Sequence, residues 1–453
     1  MFNKNDIIEA DIISVSSDGS GIAKPGGYTV FVPFTAIGDR VRIKILKADK
    51  NYGYGKVTEL LSPSPCRTSA PCPSYGKCGG CNLLHISYEA QLELKRQIVY
   101  DAITRIGSFK DITVHPTEGM ETPYNYRNKV QLPADLREDG VVFGFYAPKS
   151  HRVISAVGCL LQHPTTPIIT KAVEDWVLNN GLTIYNEETG KGILRHIYTR
   201  TGFKSGEIMV SVITNSKYLP AEASLVSTLC SLDLGEYHIK TVIHNINTKN
   251  TNVITGEKSR ILYGNGYITD ILDGLKFEIS HNSFYQVNPY MTEKLYQKAL
   301  SLSGDISGKT VFDLYCGIGT ISLFMARSAK KVIGIEYVAD AVRDAKRNAR
   351  INSISNAEFY EGDAGAVTEK VYHEGVTADI AVVDPPRKGC GENLLSTLIK
   401  MSPEKIIYIS CNPSTLARDM KYLSENGYKA SEAFPFDQFP HTSHVETVVL
   451  ITR

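Results

Sequence analysis

The stretch KTVFDLYCGIGTISLFMARSAKKVIGIE, residues 309–336, restricts the possible folds of this chain more than any other segment. An apolar strand pattern ends at Asp313, and Gly317 and Gly319 provide a tight turn into a helix that begins at Thr320. A second strand pattern follows the helix and ends at Glu336. Two strands joined by a helix predict a parallel βαβ unit. An acid at the tip of the second strand is where such units bind a nucleoside ribose.

Strand and helix patterns continue to alternate after this unit, which predicts a doubly wound, Rossmann-like α/β domain over residues 283–453. Its glycines follow D-x-x-C-G-x-G-T rather than G-x-G-x-x-G, and so resemble the S-adenosylmethionine (SAM) fold more than the dinucleotide fold. A third strand tip offers Asp363 as a partner for the adenine amino group. The next tip carries Asp384 in a D-P-P-R loop, at the sheet edge where ligands bind.

The rest of the chain predicts two further regions, because 453 residues exceed one ordinary core. Residues 1–60 read as five short strands, typical of an oligonucleotide-binding barrel. Six basic residues lie between Arg40 and Lys56, with Tyr52 and Tyr54 among them. This pattern suits either RNA binding or a solvated barrel face. Residues 61–282 predict a mixed α+β domain, with helix 87–107 as a candidate to pack on the catalytic domain.

Cys411 lies where the strand pattern KIIYIS ends and a turn opens a helix. Cysteine is often a small core residue, and Cys316 and Cys390 are expected to be of that kind. At the strand tip, by contrast, Cys411 faces the same crevice as Asp384, and the following helix N-terminus can stabilise a thiolate. Cys411 is therefore a candidate nucleophile.

A thiolate beside a methyl donor indicates methylation of carbon 5 of uracil. Sulfur adding to carbon 6 turns the ring into an enolate whose carbon 5 is nucleophilic. A base must then remove the carbon 5 proton before the enzyme is released. Glu446 is the candidate base, and His441 and His444 are the competing candidates.

The motifs SFYQVN, DLYCGIGT, DPPRKG, SCNP and HVETVVLI, in this order, resemble those of the RNA uracil-5-methyltransferase family. The resemblance implies that Cys411 is the nucleophile and Glu446 the base. The N-terminal barrel resembles the TRAM domain of the ribosomal-RNA members. The SAM contacts implied by the resemblance and by the strand tips are Gln286, Tyr315, Gly317, Glu336, Asp363 and Asp384.

Three cysteines within ten residues, Cys72, Cys78 and Cys81, indicate a soft metal or an iron–sulfur cluster. Zinc with His85 is the alternative. Cys159 is the better candidate for the fourth ligand, and Cys66, which is nearer in sequence, is the alternative candidate. The same spacing in the ribosomal-RNA branch implies a 4Fe–4S cluster on Cys72, Cys78, Cys81 and Cys159, with a structural rather than redox role.

The chain has 49 basic and 48 acidic residues and so is nearly neutral. Any RNA-binding surface must therefore be a local basic patch rather than a property of the whole molecule. Arg127 and Lys129, in YNYRNKVQLP, are the predicted RNA contacts, Arg127 because the family places an arginine of this motif near the target base. The target uridine has to be single-stranded or flipped out of a helix. The chain lacks a long apolar stretch and a signal peptide, so we expect a cytoplasmic protein, as a monomer.

The leading hypothesis is thus SAM-dependent formation of 5-methyluridine in 23S ribosomal RNA. The same chemistry on transfer RNA is an alternative, and so is an RNA amino-group N-methyltransferase that uses the Asp-Pro-Pro-Arg loop. The alternative outside the enzymes is a non-catalytic iron–sulfur protein that binds RNA.

Overall fold

The structure, a computed structural model, describes residues 2–138 and 140–453. Met1 and Asp139, which belong to the predicted barrel and central regions, lie outside the described residues. The N-terminal strands are β1 (Ile7–Val15), β2 (Gly21–Ala23), β3 (Thr29–Val32), β4 (Arg40–Ala48) and β5 (Tyr52–Ser62). They close into a barrel in the order β1-β2-β3-β5-β4. Alternate residues of β4, Val41, Ile43 and Ile45, fill its interior. The predicted five-stranded barrel is confirmed.

Helix α1 (Tyr88–Arg105) and the short strand β6 (Thr113–Val114) connect the barrel to the rest of the chain. Ser87 caps α1, its hydroxyl accepting a hydrogen bond from the backbone N–H of Ala90 at 3.4 Å. A serine immediately before an apolar periodic segment is the signal for such a cap.

The central region is a seven-stranded mixed sheet in the order β13-β12-β11-β10-β7-β8-β9, followed by a separate hairpin, β14-β15. The elements are β7 (Lys129–Arg137), β8 (Gly140–Tyr146), β9 (Val153–Ser155), α2 (Thr165–Asn179), β10 (Leu194–Thr201), β11 (Glu207–Thr214), α3 (Glu222–Cys230), β12 (His238–Ile246), β13 (Lys258–Tyr263), β14 (Tyr267–Leu272) and β15 (Leu275–Ser280). Helices α2 and α3 cover one face of the sheet, with Trp176 and Leu225 buried against Val210.

The C-terminal region is an eight-stranded sheet with helices on both faces. Its elements are α4 (Pro289–Ser303), β16 (Thr310–Leu314), α5 (Thr320–Ala326), β17 (Lys331–Glu336), α6 (Ala339–Ile351), β18 (Ala357–Glu361), α7 (Ala364–His373), β19 (Ile380–Val383), α8 (Glu392–Met401), β20 (Lys405–Ser410), α9 (Pro413–Glu425), β21 (Lys429–Phe436) and β22 (Glu446–Thr452). The strand order is β18-β17-β16-β19-β20-β22-β21-β6. The predicted Rossmann-like domain is confirmed.

The order of the parallel strands reverses between β16 and β19, which are neighbours although β17 and β18 come between them in sequence. Such a switch point leaves a crevice at the carboxyl ends of the strands, because the connecting loops diverge there. None of the described helices is long and apolar enough to span a membrane.

The N-terminal half contributes directly to the C-terminal sheet. Strand β6 pairs in parallel with β21 and forms the edge of the sheet. On α1, Val99 and Ile103 belong to the same hydrophobic cluster as Leu416 of α9. The side chains of Lys95 on α1 and Asp437, just after β21, form a fully buried ion pair. Helix α1 therefore packs on the C-terminal sheet and holds the loop that leads to β22.

We predict that Lys95→Met lowers the free energy of unfolding by about 3–5 kcal/mol, because it leaves the Asp437 carboxylate buried without a partner. The double variant Lys95→Met/Asp437→Leu should recover most of this loss, since an apolar pair replaces the ion pair. Urea unfolding measures both values. As a control, Lys171→Met removes an exposed pair with Asp175 and should leave stability nearly unchanged. Equal stability of Lys95→Met and the native protein would contradict the prediction.

Candidate active site

A cavity of about 830 Å³ opens at the carboxyl ends of the parallel strands, at the switch point between β16 and β19. It brings together all of the residues that the sequence predicts for catalysis and for SAM. They are Gln286, Tyr315, Gly317, Glu336, Asp363, Asp384, Cys411 and Glu446.

The turn after β16 is shaped by backbone conformations that lie in the left-handed region. Tyr315 has φ +73°, uncommon for a residue with a side chain, and its N–H donates to the carbonyl of Ile335 at 3.0 Å. Gly319 has φ +82°, and a Cβ there would lie 3.1 Å from the ring of Phe359. Glycine at 319 therefore allows the turn and the close approach of α5 to the sheet.

The two acids at the next strand tips are fixed by backbone N–H groups. Glu336 accepts hydrogen bonds from the N–H of Gly317 at 3.1 Å and of Val338 at 2.8 Å. Asp363 caps α7 by accepting from the N–H of Ala366 at 3.1 Å. Both carboxylates line the cavity with lone pairs left to accept from the hydroxyl or amino groups of a nucleoside.

Cys411 and Glu446 come together through the register of β20 and β22. These antiparallel strands pair Ser410 with Thr447, and the two candidate groups occupy the next position beyond this pair. Both line the cavity. Their relative position is therefore set by the backbone pairing of two buried strands.

Burial raises the pKa of two acids that line the cavity. It raises the pKa of Asp384 to about 7, with a further contribution from the charge of Asp313. Burial and the neighbouring Asp384 raise the pKa of Glu446 well above its ordinary value, against a smaller opposing effect of Arg387. Both shifts favour the protonated carboxyl group.

The expected thiolate at Cys411 is not what the free protein favours. Burial raises the pKa of Cys411 to about 11, and the charges of Glu446 and Asp384 add to the effect. Arg387 opposes them, but more weakly. Desolvation and two acids thus oppose the stabilisation of a thiolate that is expected from the helix N-terminus. The thiol is protonated at neutral pH.

The loops that carry Asp384 and Cys411 are joined to each other. Asn412 caps α9, and its amide donates to the carbonyl of Arg387 at 2.9 Å. Asp419 on α9 accepts from the N–H of Cys390 at 2.8 Å and from the hydroxyl of Tyr408 at 2.6 Å. Sequence reasoning missed both positioning groups, although the Asn-Pro pair at 412–413 is a recognisable helix start.

The two candidate histidines differ in position. His444 lines the cavity, and its Nε2 accepts from Arg387 at 3.3 Å. His441 lies outside the cavity lining, stacked on Tyr124 at 4.8 Å and buried, where burial lowers its pKa to about 4. Of the two, only His444 is positioned to contact a substrate. Sequence reasoning also missed Phe284, which is 66% exposed at the cavity wall.

The predicted RNA contacts lie at the border between the central sheet and the active site. The backbone N–H of Arg127 donates to Leu161, and the charge of Arg127 acts on both Cys81 and His444. Lys129 starts β7 and is half-buried. Arg127 therefore lies between the cysteine loop and the cavity.

The barrel surface is less basic than its sequence suggests. Arg42 forms ion pairs with Glu9 and Glu59, two acids from outside the basic stretch. Tyr54 stacks on Phe31 with ring centroids 5.6 Å apart and stays 43% exposed. The aromatic surface is present, but part of the positive charge is neutralised.

The four predicted cluster cysteines are neighbouring free thiols. Cys159, Cys78 and Cys72 each raise the pKa of Cys81, to about 12 together with burial, whereas Cys66 packs against an apolar cluster. The donor set suits an iron–sulfur cluster. However, within residues 2–138 and 140–453 no three histidine, cysteine or acidic side chains are arranged closely enough to hold a metal ion.

The alternative zinc ligand has one ring nitrogen engaged. His85 is buried, and its Nδ1 lies 2.5 Å from the hydroxyl of Tyr75. Its Nε2 is buried without a hydrogen-bond partner among the described residues.

Comparisons with known proteins agree with this architecture. Residues 236–453 match the family described as tRNA (Uracil-5-)-methyltransferase, and residues 2–58 match the TRAM domain. A protein of Halalkalibacterium halodurans, named an uncharacterized RNA methyltransferase, is 45% identical over 449 residues, 99% of this chain and 97% of its own. A protein of Bacillus cereus with the same description is 47% identical over 450 residues, 99% of this chain and 97% of its own.

Among solved structures, the chain is similar to a Pyrococcus abyssi tRNA (uracil-54, C5)-methyltransferase in complex with S-adenosyl-L-homocysteine. The TM-score is 0.77 at 26% identity, and the match covers 98% of this chain and all of the other. The fold and the cavity define a SAM-dependent methyltransferase. Within that class, the chain belongs to the RNA uracil-5-methyltransferase family, with an N-terminal TRAM domain.

We predict that alkylation of Cys411 in the free enzyme accelerates up to the most alkaline pH the fold tolerates, because its thiol has a pKa of about 11. Iodoacetamide labelling from about pH 6 to about pH 10, followed by mass spectrometry of the peptide, measures the rate. Arg387→Ala should slow labelling and Glu446→Gln should accelerate it, since they remove opposite charges. A rate that levels off below about pH 8 would show that the thiolate is stabilised after all.

Proposed function

We propose that this enzyme methylates carbon 5 of a uridine in 23S ribosomal RNA, through a transient bond between Cys411 and carbon 6 of the ring. The observation that carries the proposal is the pairing of β20 with β22, which aligns a thiol and a carboxyl group on one enclosed cavity. An amino-group methyltransferase needs neither group, so this arrangement favours carbon as the target.

The roles of the residues follow from their chemistry. The thiol of Cys411 loses its proton to water and its sulfur bonds to carbon 6, while the electrons of the carbon 5–carbon 6 double bond shift towards the carbonyl oxygen on carbon 4, giving an enolate. Bound SAM supplies the methyl group to carbon 5. Glu446, once it has lost its own carboxyl proton, removes the carbon 5 proton, and the carbon–sulfur bond breaks to release 5-methyluridine and the Cys411 thiolate, which takes up a proton from water. Burial and Asp384 favour the protonated form of Glu446 in the free protein, so this carboxyl group has to be deprotonated before it acts as the base.

We propose that the remaining residues of the cavity bind SAM. Glu336 accepts hydrogen bonds from ribose hydroxyls and Asp363 accepts from the adenine amino group. Gln286, Tyr315, Gly317 and Asp384 complete the site. All of them lie on strand tips or turns of the cavity wall, which supports the assignment.

Ribosomal RNA is the preferred substrate because the TRAM barrel occurs together with the four-cysteine set. Arg127 and Lys129 are the proposed RNA contacts, and we propose that the enzyme acts as a monomer. Transfer RNA is the second candidate, favoured by the full-length similarity to the Pyrococcus abyssi tRNA enzyme.

We predict that RNA carrying 5-fluorouridine at the target, mixed with SAM, forms a covalent complex with the native enzyme. Fluorine cannot be removed as a proton, so the carbon–sulfur bond persists. Denaturing electrophoresis detects the complex. Cys411→Ala should abolish it, and Glu446→Gln should trap a similar complex on ordinary uridine RNA because the base is missing.

Cys230→Ala is the matched control, since it removes an exposed cysteine outside the cavity and should leave the complex intact. Substrate RNA is first identified by offering unmodified 23S ribosomal RNA and transfer RNA separately with labelled SAM. Label in transfer RNA alone would favour the second candidate. Undiminished methylation by Cys411→Ala would refute the covalent mechanism.

We also propose that Cys72, Cys78, Cys81 and Cys159 hold a 4Fe–4S cluster. The charges of Cys159 and Cys72 act on both Cys78 and Cys81, which supports this, as do the contacts between the two segments. The Ser74 hydroxyl donates to the carbonyl of Ser155 at 3.3 Å, so the loop already packs beside β9. A cluster would fix that loop to the central sheet near Arg127.

We predict that enzyme purified without oxygen contains about four iron atoms and absorbs visible light near 400 nm, roughly as such clusters do. Iron analysis and absorbance spectroscopy measure this. Cys159→Ser should lose the iron, whereas Cys66→Ser, the matched control, should keep it. One zinc atom with no iron, or loss of iron in the Cys66 variant alone, would contradict the assignment.

A further inference from the structure

Beside the active site lie two cations that the proposed chemistry does not use together. Lys129 on β7 and Arg200 on β10 are direct cross-strand partners, so their side chains lie on the same face of the central sheet. Both lie over the ring of Tyr198, each at 5.7 Å from its centroid. The two strands thus hold a pair of like charges next to one aromatic ring.

Arg200 is buried with most of its guanidinium unsatisfied. It is 1% exposed, and its Nη1 donates to the carbonyl of Ser280 at 3.3 Å. Its Nε and Nη2 are buried without a partner among the described residues. A buried guanidinium in this state is costly to a fold unless an anion compensates it.

The surroundings of Lys129 are also cationic. Its pKa falls to about 8 because of burial and of the charges of Arg200 and Arg127, and no acid contributes. His281 packs 4.9 Å from Tyr198, and its Nε2 is buried without a partner in the described structure. Among the residues that the structure describes, no acidic side chain forms an ion pair with Lys129 or Arg200.

This group of residues adjoins the wall of the cavity. The Asn128 amide donates to the carbonyl of Gln286 at 2.9 Å, and the Asn128 N–H donates to the carbonyl of Val287 at 2.9 Å. His281 begins the same segment, whose Phe284 and Gln286 line the cavity. An anion held here would lie next to the nucleotide whose base enters the cavity.

We propose that Lys129 and Arg200 form a binding site for one phosphodiester group of the substrate RNA, next to the target uridine. Lys129, the half-buried member, contacts the phosphate, and Arg200, the buried member, adds positive charge beside it. The phosphate supplies the negative charge that the protein lacks at this point. The inference rests on the proposed function in one respect, because it assumes that the target uridine binds at Cys411.

The test uses single-stranded RNA substrates in which each phosphate near the target is replaced, one at a time, by a neutral methylphosphonate. With native enzyme, one such replacement should weaken RNA binding roughly tenfold, as expected for a lost charged contact. With Lys129→Gln the same replacement should have no further effect, because the two changes remove one interaction. Fluorescence anisotropy measures the dissociation constants.

A second measurement is the dependence of RNA affinity on salt. Lys129→Gln should lower the slope of log affinity against log salt by about one, and Lys129→Arg should restore it. Lys171→Gln, on an exposed helix face, is the control and should keep the native slope. Arg200→Gln should weaken binding in the same direction, and the Lys129 variants decide the matter if this buried change unfolds the protein.

The KM for SAM should stay near its native value in Lys129→Gln while the KM for RNA rises. Equal effects of every methylphosphonate in native and Lys129→Gln enzyme would overturn the proposal, as would a loss of SAM affinity instead of RNA affinity. Competition by inorganic phosphate without sensitivity to any methylphosphonate would assign the site to a free anion. The 5-fluorouridine complex of native enzyme tests the proposed function independently of these outcomes.

Discussion

The buried ion pair between Lys95 and Asp437 determines how the two halves of this chain form one active site. Lys95 also donates to the carbonyl of Phe439 at 3.1 Å, so one ammonium group fixes two points of the loop before β22. The Tyr126 hydroxyl reaches the carbonyl of Pro440 at 3.1 Å from the central region. Because β22 begins at Glu446, the candidate base takes its position from a loop that the N-terminal half holds in place.

The electrostatics of the cavity follow from the same enclosure. Asp384 and Glu446 are both buried in the cavity, Asp384 raises the pKa of Glu446, and both acids raise the pKa of Cys411. Four acids line the cavity, Glu336, Asp363, Asp384 and Glu446, and this lining suits a cationic sulfonium ligand. Beyond the cavity wall, Lys129 and Arg200 form a region of opposite sign. The protein thus separates the charge that suits its methyl donor from the charge that suits a nucleic acid backbone.

Much of the fold could be predicted from the sequence, because turns and strand tips depend on local patterns. The Gly317–Gly319 turn and the acid at Glu336 belong to one βαβ unit, and such units have few possible geometries. The five-stranded barrel likewise follows from short alternating strands between turns. Residues at strand tips of one parallel sheet necessarily converge, so the cavity lining was predictable as well.

What could not be predicted depends on contacts between distant segments. Lys95 lies on an otherwise ordinary helix, and its burial depends on a loop more than three hundred residues later. The ionisation of Cys411 depends on desolvation, which the local sequence does not report. The neutralisation of Arg42 by Glu9 and Glu59 requires the barrel to close, so a local count of charges overestimated the basic surface.

The alignment of Cys411 with Glu446 by neighbouring strands has a consequence for how uridines are selected. Groups fixed by backbone ladders cannot travel to meet a base, so no hinge or lid has to move to assemble them. The motion needed for reaction then falls to the RNA, which must unstack and rotate a nucleotide into a rigid socket. The choice between one uridine and another then depends on how little free energy each RNA strand needs to unstack that nucleotide.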